Sequence, residues 1–443
     1  MTRTGAKSGL ILPLAVFAVL ASFLALWLLA AEQAGEVFQY PLDGANMRLA
    51  PDEQTAGGGF AGDTGGAGLA ASSPLYPLLL QLAPGTELQR LLPLIWNVIG
   101  LVLAAGVWGV LLLESGLAQA APRASLALAA LAPTALNIPG VALSGTEHTL
   151  HIAASLAIVL GLFRFVRNGR LGATLMLAIL LAPLLRPEAL AMLVLSGCVV
   201  AAFGSWRQAL ALMSLGLLPL IGFAAFGGAP GLSVLPDWAG GNMTGDITAA
   251  GSGFDLIAAN FVTNIRADAG QALLALSILA IVASSVLRVT GDQRRLVITM
   301  GLFAGGTGLA QLLFGQTGWL NHSAVYATSS VVATLLMLAG LTWAQAPRAR
   351  SMLGAVGVVM ALLTWDLSED LAETGIWSSL VPTSRSQLIV EFPLDGVRDP
   401  VAERGRVTDT DAPDLPALKT ARVTWATVGP EGLSVEIVSE GQG

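Results

Sequence analysis

From Ser8 to Ala31 the chain carries no charged side chain, and about 20 consecutive apolar residues are enough for a helix to cross a bilayer. Inside hydrocarbon every backbone N–H and C=O must be satisfied within the structure, so such a run is predicted to be helical. Arg3 and Lys7 precede it. Its end, Ala30-Ala31-Glu32, has the small residues of a signal-peptidase site. The run is nonetheless longer than the roughly 7–15 apolar residues of a secretory signal, so it reads as an uncleaved helix. Ten more apolar stretches follow, at 89–113, 124–143, 149–166, 171–185, 187–204, 209–226, 271–289, 296–314, 323–344 and 352–365. The expected fold is therefore an all-α polytopic membrane protein with about eleven transmembrane helices.

Composition agrees. Hydrophobic residues make up 54% of the 443 and charged residues 12%, about half the charged share of a soluble domain. The formal charge is 22 − 29 = −7, which provides no basic face for nucleic acid. One cysteine, Cys198, and three histidines exclude a disulfide scaffold and a cysteine-based metal cluster. Cys198 lies within an apolar stretch and reads as a packing residue.

Charge placement predicts an orientation. With the N-terminus in the cytoplasm, the inner connections hold Arg3, Lys7, Arg123, Arg164, Arg167, Arg170, Arg207, Arg288, Arg294, Arg295, Arg348 and Arg350, twelve of the 22 basic residues. Of the 29 acidic residues the same segments hold only Glu114 and Asp292. The expected location is a cell inner (plasma) membrane, with the C-terminus outside. Residues 1–366 form the expected membrane domain, with outer loops at 32–87 and 227–270. Residues 367–443 form a small extracytoplasmic segment in which 387–392, 422–428 and 433–438 alternate like short strands, the last two forming a hairpin about Gly429-Pro430-Glu431-Gly432.

Ionisable groups near membrane depth are costly, and they are the first candidates for chemistry. Asp43, in Tyr40-Pro41-Leu42-Asp43-Gly44-Ala45-Asn46-Met47-Arg48, could deprotonate an acceptor hydroxyl, or be a solvated loop charge. Asp52, Glu53 and Asp63 compete with it on the same loop. Arg186, in Leu184-Leu185-Arg186-Pro187-Glu188, could hold a phosphate through its fork of N–H groups, or pair with Glu188 and snorkel. His148 and His151 stand at i and i+3, on one helix face, beside Glu147. His322, after Asn321, belongs to the same predicted side. Glu147, His148 and His151 are weak candidates for a divalent metal site, the competing reading being polar groups that line a wet cavity. No cofactor is otherwise implied. The Gly-rich stretch 57–66 follows no predicted strand and lacks a Gly-Lys-Ser/Thr ending, so it reads as a flexible loop and not as a phosphate cradle.

In order, these pieces resemble the polytopic GT-C glycosyltransferases that use a polyprenyl-phosphate sugar donor, of the dolichyl-phosphate-mannose mannosyltransferase type. The resemblance rests on Asp43–Arg48, a Gly-rich segment at 57–68, Ser72-Ser73-Pro74-Leu75-Tyr76, Ser144-Gly145-Thr146-Glu147-His148, Leu184-Leu185-Arg186-Pro187-Glu188, Leu235-Pro236-Asp237 and Gly318-Trp319-Leu320-Asn321-His322. It departs from the family where Leu42 replaces a second acid and His322 a late arginine. The resemblance implies transfer of a sugar, with inversion, from a polyprenyl-phosphate donor to a hydroxyl of a glycan, lipid or protein on the extracytoplasmic face. It implies Asp43 as general base, and Arg48, Glu147, His148, Arg186, Glu188, Asn321 and His322 as substrate-binding residues. Membrane lipid is an expected partner and nucleic acid is not. Two other classes fit the sequence: a transporter or flippase, and a non-catalytic assembly protein presenting its outer tail.

Overall fold

The structure, a computed structural model, describes residues 9–34, 73, 75–80, 82–83, 87–226, 253–287, 289, 291–315, 324–346 and 348–374, and the strand residues 392–393, 420–429 and 432–438. The chain divides into two compact units, Met1–Val381 and Pro382–Gly443.

The described part of the first unit is helical. Its helices are α1 (Ile11–Ala34), α2 (Tyr76–Leu80), α3 (Glu87–Glu114), α4 (Leu117–Ala120), α5 (Pro122–Ala135), α6 (Ile138–Ala142), α7 (His148–Asn168), α8 (Ala173–Leu185), α9 (Ala189–Phe203), α10 (Trp206–Phe226), α11 (Gly253–Arg266), α12 (Asp268–Val286), α13 (Asp292–Phe314), α14 (Val325–Thr342) and α15 (Arg348–Thr374). Each predicted apolar stretch thus contains a helix, but the expectation of eleven spans is corrected. Among the described residues six helices are long and apolar enough to cross a membrane: α1, α3, α7, α12, α13 and α14. With 13 and 15 residues, α8 and α9 rise only about 20–23 Å at 1.5 Å per residue, short of a core about 30 Å thick. The stretch 124–143 is broken between α5 and α6. Asn137 adopts φ 55°, a left-handed conformation that asparagine tolerates but a helix cannot continue through.

Two helices form the centre of the bundle. α7 packs on α3, α8, α9 and α14, and α14 packs on α7, α13, α15 and α12. α14 carries a series of hydroxyl residues yet is buried almost throughout. Thr328, Ser330, Thr334 and Thr342 donate to the carbonyls of Ala324, Tyr326, Ser330 and Leu338, each four residues back. These hydroxyls are satisfied within their own helix, so the surrounding contacts can be apolar. On the rim, Phe17, Leu28, Leu131, Leu177, Leu218 and Leu362 are exposed. This apolar rim is what a membrane protein presents to lipid.

The second unit contains an antiparallel sheet of order β1 (Phe392–Pro393), β2 (Thr420–Gly429) and β3 (Gly432–Val438). Its hairpin pairs Arg422 with Val438 and Gly429 with Gly432, the turn read from Gly-Pro-Glu-Gly. A bulge between Val423 and Trp425 shifts the register. Of the strand expected at 387–392 only Phe392 is among the described residues.

Candidate functional site

Three helix ends converge in the bundle. Glu147 is the N-cap of α7, Arg186 the C-cap of α8 and Glu188 the N-cap of α9. A helix carries about half a positive charge at its N-terminus and half a negative charge at its C-terminus. Each of these three side chains therefore has the sign that its own helix end favours. Neither glutamate makes a side-chain cap to its helix; both turn to Arg186.

The guanidinium grips Glu188 as a fork, Nε to Oε2 at 3.2 Å and Nη2 to Oε1 at 2.6 Å. Nη1 donates to Glu147 Oε1 at 3.3 Å and lies 3.1 Å from Nδ1 and 3.3 Å from Nε2 of His148. His148 must accept through whichever ring nitrogen carries no proton. These contacts use four of the five N–H donors of an arginine, and the fifth, on Nη2, has no partner among the described residues. The Glu147 side chain is 2% exposed, and those of Arg186 and Glu188 are 15% exposed. The cluster is buried but not sealed.

Burial alone would lower the Arg186 pKa, but the Glu188 and Glu147 carboxylates outweigh it and hold that pKa above its ordinary value. Burial alone would raise Glu188; the charge and hydrogen bond of Arg186 outweigh it and hold its carboxyl below the usual range. Formally the cluster carries +1 − 2 = −1. The remaining Nη2 N–H has the chemistry to meet an anion.

A polar frame fixes the two turns. Gly145 adopts φ 73°, which permits the tight path from Ser144 to Glu147. Its carbonyl accepts from Tyr76 Oη at 2.8 Å, and Ser144 Oγ is 2.8 Å from Thr146 Oγ1. Leu75 N donates to Leu184 O at 3.0 Å, so the segment at Tyr76 ties both turns together. Asn97 of α3 accepts from Thr149 Oγ1 at 2.8 Å and donates to Pro93 O at 2.8 Å. α3 reaches α7 this closely because Gly100 lacks a Cβ, which would come within 2.6 Å of Leu150 N. Asn97 lies six residues inside the Leu91 end of its apolar window, about 9 Å along the axis. The cluster is thus recessed below the end of α3.

One turn deeper on α7, the His151 ring packs against Tyr326 of α14, centroids 4.3 Å apart and planes tilted by 41°, and Tyr326 Oη donates to Gln311 at 2.7 Å. Among the described residues, both ring nitrogens of His151 and the hydroxyls of Ser155 and Ser329 are buried without a hydrogen-bond partner. Ser155 is four residues after His151 and Ser329 three after Tyr326, so a short polar seam runs inward from the cluster.

Of the residues named from sequence, the structure brings together Glu147, His148, Arg186 and Glu188, with His151 next on the same helix. Asp43, Arg48, Asn321 and His322 lie outside the described residues, as do the Gly-rich stretch and Leu235–Asp237. Among the described residues no three metal-ligating side chains converge. The lone pairs of Glu147 and His148 already face a guanidinium, so a cation there would have to displace Arg186. Sequence reasoning did not single out Asn97, Thr149 or Tyr326. The available signal was Asn97, an amide in an otherwise apolar run, which is costly in lipid unless it is bonded. Comparison with protein-family models, with curated proteins and with solved structures finds no match to this chain.

Proposed function

We propose that the protein is an integral membrane glycosyltransferase that moves a sugar from a polyprenyl-phosphate donor to an acceptor hydroxyl. The observation that supports this most is the recessed Arg186 cluster: a cation with one N–H unpaired among the described residues, flanked by two glutamates and an imidazole, in a bundle rimmed by exposed apolar side chains. A lipid-linked donor can reach such a site from the bilayer. Its phosphate would meet Arg186, whose charge offsets the negative charge growing on the leaving group. Glu147 and Glu188 would accept hydrogen bonds from sugar hydroxyls and hold the anomeric carbon in line. Asp43 would take the acceptor's proton as that oxygen attacks, with inversion. His148 would help to orient the guanidinium.

The test is sugar transfer by isolated membranes from a labelled polyprenyl-phosphate donor. Asp43→Asn and Arg186→Lys should each lower transfer by about a hundredfold or more at unchanged protein abundance, in the range typical for loss of a general base or of a charge-stabilising donor. Full activity in Asp43→Asn would remove Asp43 from the mechanism.

A second reading, a transporter or flippase, is favoured by one feature. The short helices α8 and α9 meet end to end at a buried charge, as discontinuous helices do at transporter sites. Solute or lipid movement in reconstituted vesicles, without glycosyl transfer, would select it.

A further inference from the structure

At one end of the α12–α13 hairpin, far from Arg186 in sequence, a groove of about 580 Å³ opens between the two helices. It is lined by Ser284, Ser285, Leu287, Arg294, Ile298 and Leu302, with Val289 in the connection. Both helices are long and apolar enough to span a membrane, so the groove lies where a span meets the headgroup layer.

The lining is graded along the helix axis. Arg294, Ile298 and Leu302 recur every four residues and share one face of α13. One cation therefore stands above two aliphatic side chains, over about 12 Å of axis. Arg294 is exposed and has no ion-pair partner among the described residues; Leu302 is 51% exposed. No carboxylate lines the groove among the described residues. On the opposite wall Ser284 Oγ donates to Ile281 O at 2.6 Å and Ser285 Oγ to the same carbonyl at 3.5 Å. Their oxygen lone pairs are left to accept from a ligand. A guanidinium matches phosphate oxygens, hydroxyl oxygens suit a donor-bearing headgroup, and aliphatic side chains below them suit an acyl chain.

We propose that this groove binds an anionic membrane phospholipid with a hydroxyl-bearing headgroup. The phosphate sits on Arg294, the headgroup hydroxyls on Ser284 and Ser285, and the upper acyl chain runs along Ile298 and Leu302. Basic pockets between membrane helices are suited to anionic lipid heads on electrostatic grounds. This site is separate from the Arg186 cluster and does not depend on the reaction assigned to it.

The experiment is native mass spectrometry of the purified full chain in neutral detergent, titrated in separate runs with phosphatidylglycerol, phosphatidylcholine and inorganic phosphate. Phosphatidylglycerol should be retained about tenfold more tightly than phosphatidylcholine, and Arg294→Gln should remove about that factor, as expected for loss of a charge-assisted contact. Ile298→Trp, which fills the groove and keeps the charge, should also weaken retention. Arg295→Gln, beside the groove but not lining it, should leave it unchanged. Equal retention of the two lipids, an unaltered Arg294→Gln protein, or displacement of lipid by millimolar inorganic phosphate would each overturn the proposal.

Discussion

Helix α7 has an arginine cluster at either end, built from similar residues in unlike surroundings. At its N-terminal end Arg186 is enclosed by Glu147, Glu188 and His148. Sixteen residues on, about 24 Å along the axis, Arg164 Nε donates to both oxygens of Glu114 at 3.0 and 3.2 Å, and Nη1 donates to Thr174 at 3.1 Å. The Arg164 and Glu114 side chains are 37% and 25% exposed, against 15% and 2% for Arg186 and Glu147. An exposed pair loses little hydration on forming and contributes about 0–1 kcal/mol. In a buried cluster, desolvation offsets most of the attraction, yet removing one partner strands the others. The Arg164 pair fastens α3 to α7. The Arg186 cluster is a poor way to gain stability, which is consistent with the chemical role proposed for it.

The largest expected effect separates the two ends directly. Arg186→Met, which leaves two carboxylates without their cation, should destabilise the protein by about 3–5 kcal/mol, read by thermal unfolding in detergent. Arg164→Met should cost about 1 kcal/mol or less. Equal losses would break the comparison. Adding Glu147→Gln and Glu188→Gln to Arg186→Met should recover part of the loss.

Acid should act on the buried end next. With its folded pKa depressed by Arg186, Glu188 contributes stability that is present above its unfolded pKa and lost as pH falls through the folded one. Unfolding temperature should therefore hold above the ordinary carboxylate range and fall progressively from that range down to the folded pKa, and Glu188→Gln should remove that acid limb. The raised pKa of Arg186 works in the opposite sense: its contribution is present below the unfolded pKa and is lost only at strongly alkaline pH.

Salt should act on the other end. Raising ionic strength from about 0.1 to 1 M shortens the screening length from about 10 to 3 Å. The stability difference between wild type and Glu114→Gln should shrink towards zero, while that of Glu147→Gln should persist. The smallest effect is expected one turn inside the buried end. His151→Phe removes two nitrogens that have no hydrogen-bond partner among the described residues and keeps the ring contact with Tyr326. Its stability should change by less than about 1 kcal/mol. A loss above about 2 kcal/mol would reveal a bonding partner for the imidazole.

The helices were legible because lipid imposes a simple rule on composition. The stretch 323–344 contains α14, and 149–166 contains α7 all but its ends. Less legible was where a helix fails. The break at Asn137 depends on a single left-handed residue within an apolar run. The shortness of α8 and α9 depends on turns at Gly172, Arg186 and Gly204, which hydropathy averages away. These breaks account for three of the five predicted stretches that hold no membrane-length helix among the described residues. Alternation along the chain put Glu147, His148, Arg186 and Glu188 on one predicted side, and the α7–α8 hairpin does bring them into contact. Their depth, and the frame of Asn97, Thr149 and Tyr76 around them, come from the close α3–α7 crossing at Gly100, which no local pattern announces.

The central claim is that the buried end of α7 is the working end and the exposed end is structural. Sugar transfer from a labelled polyprenyl-phosphate donor, measured in membranes with matched amounts of Arg186→Lys and Arg164→Lys protein, tests it most directly. Both variants keep the charge and lose the fork. The account predicts that Arg186→Lys lowers transfer by about a hundredfold or more while Arg164→Lys stays within about twofold of wild type. Wild-type activity in Arg186→Lys, or equal losses in both, would contradict it.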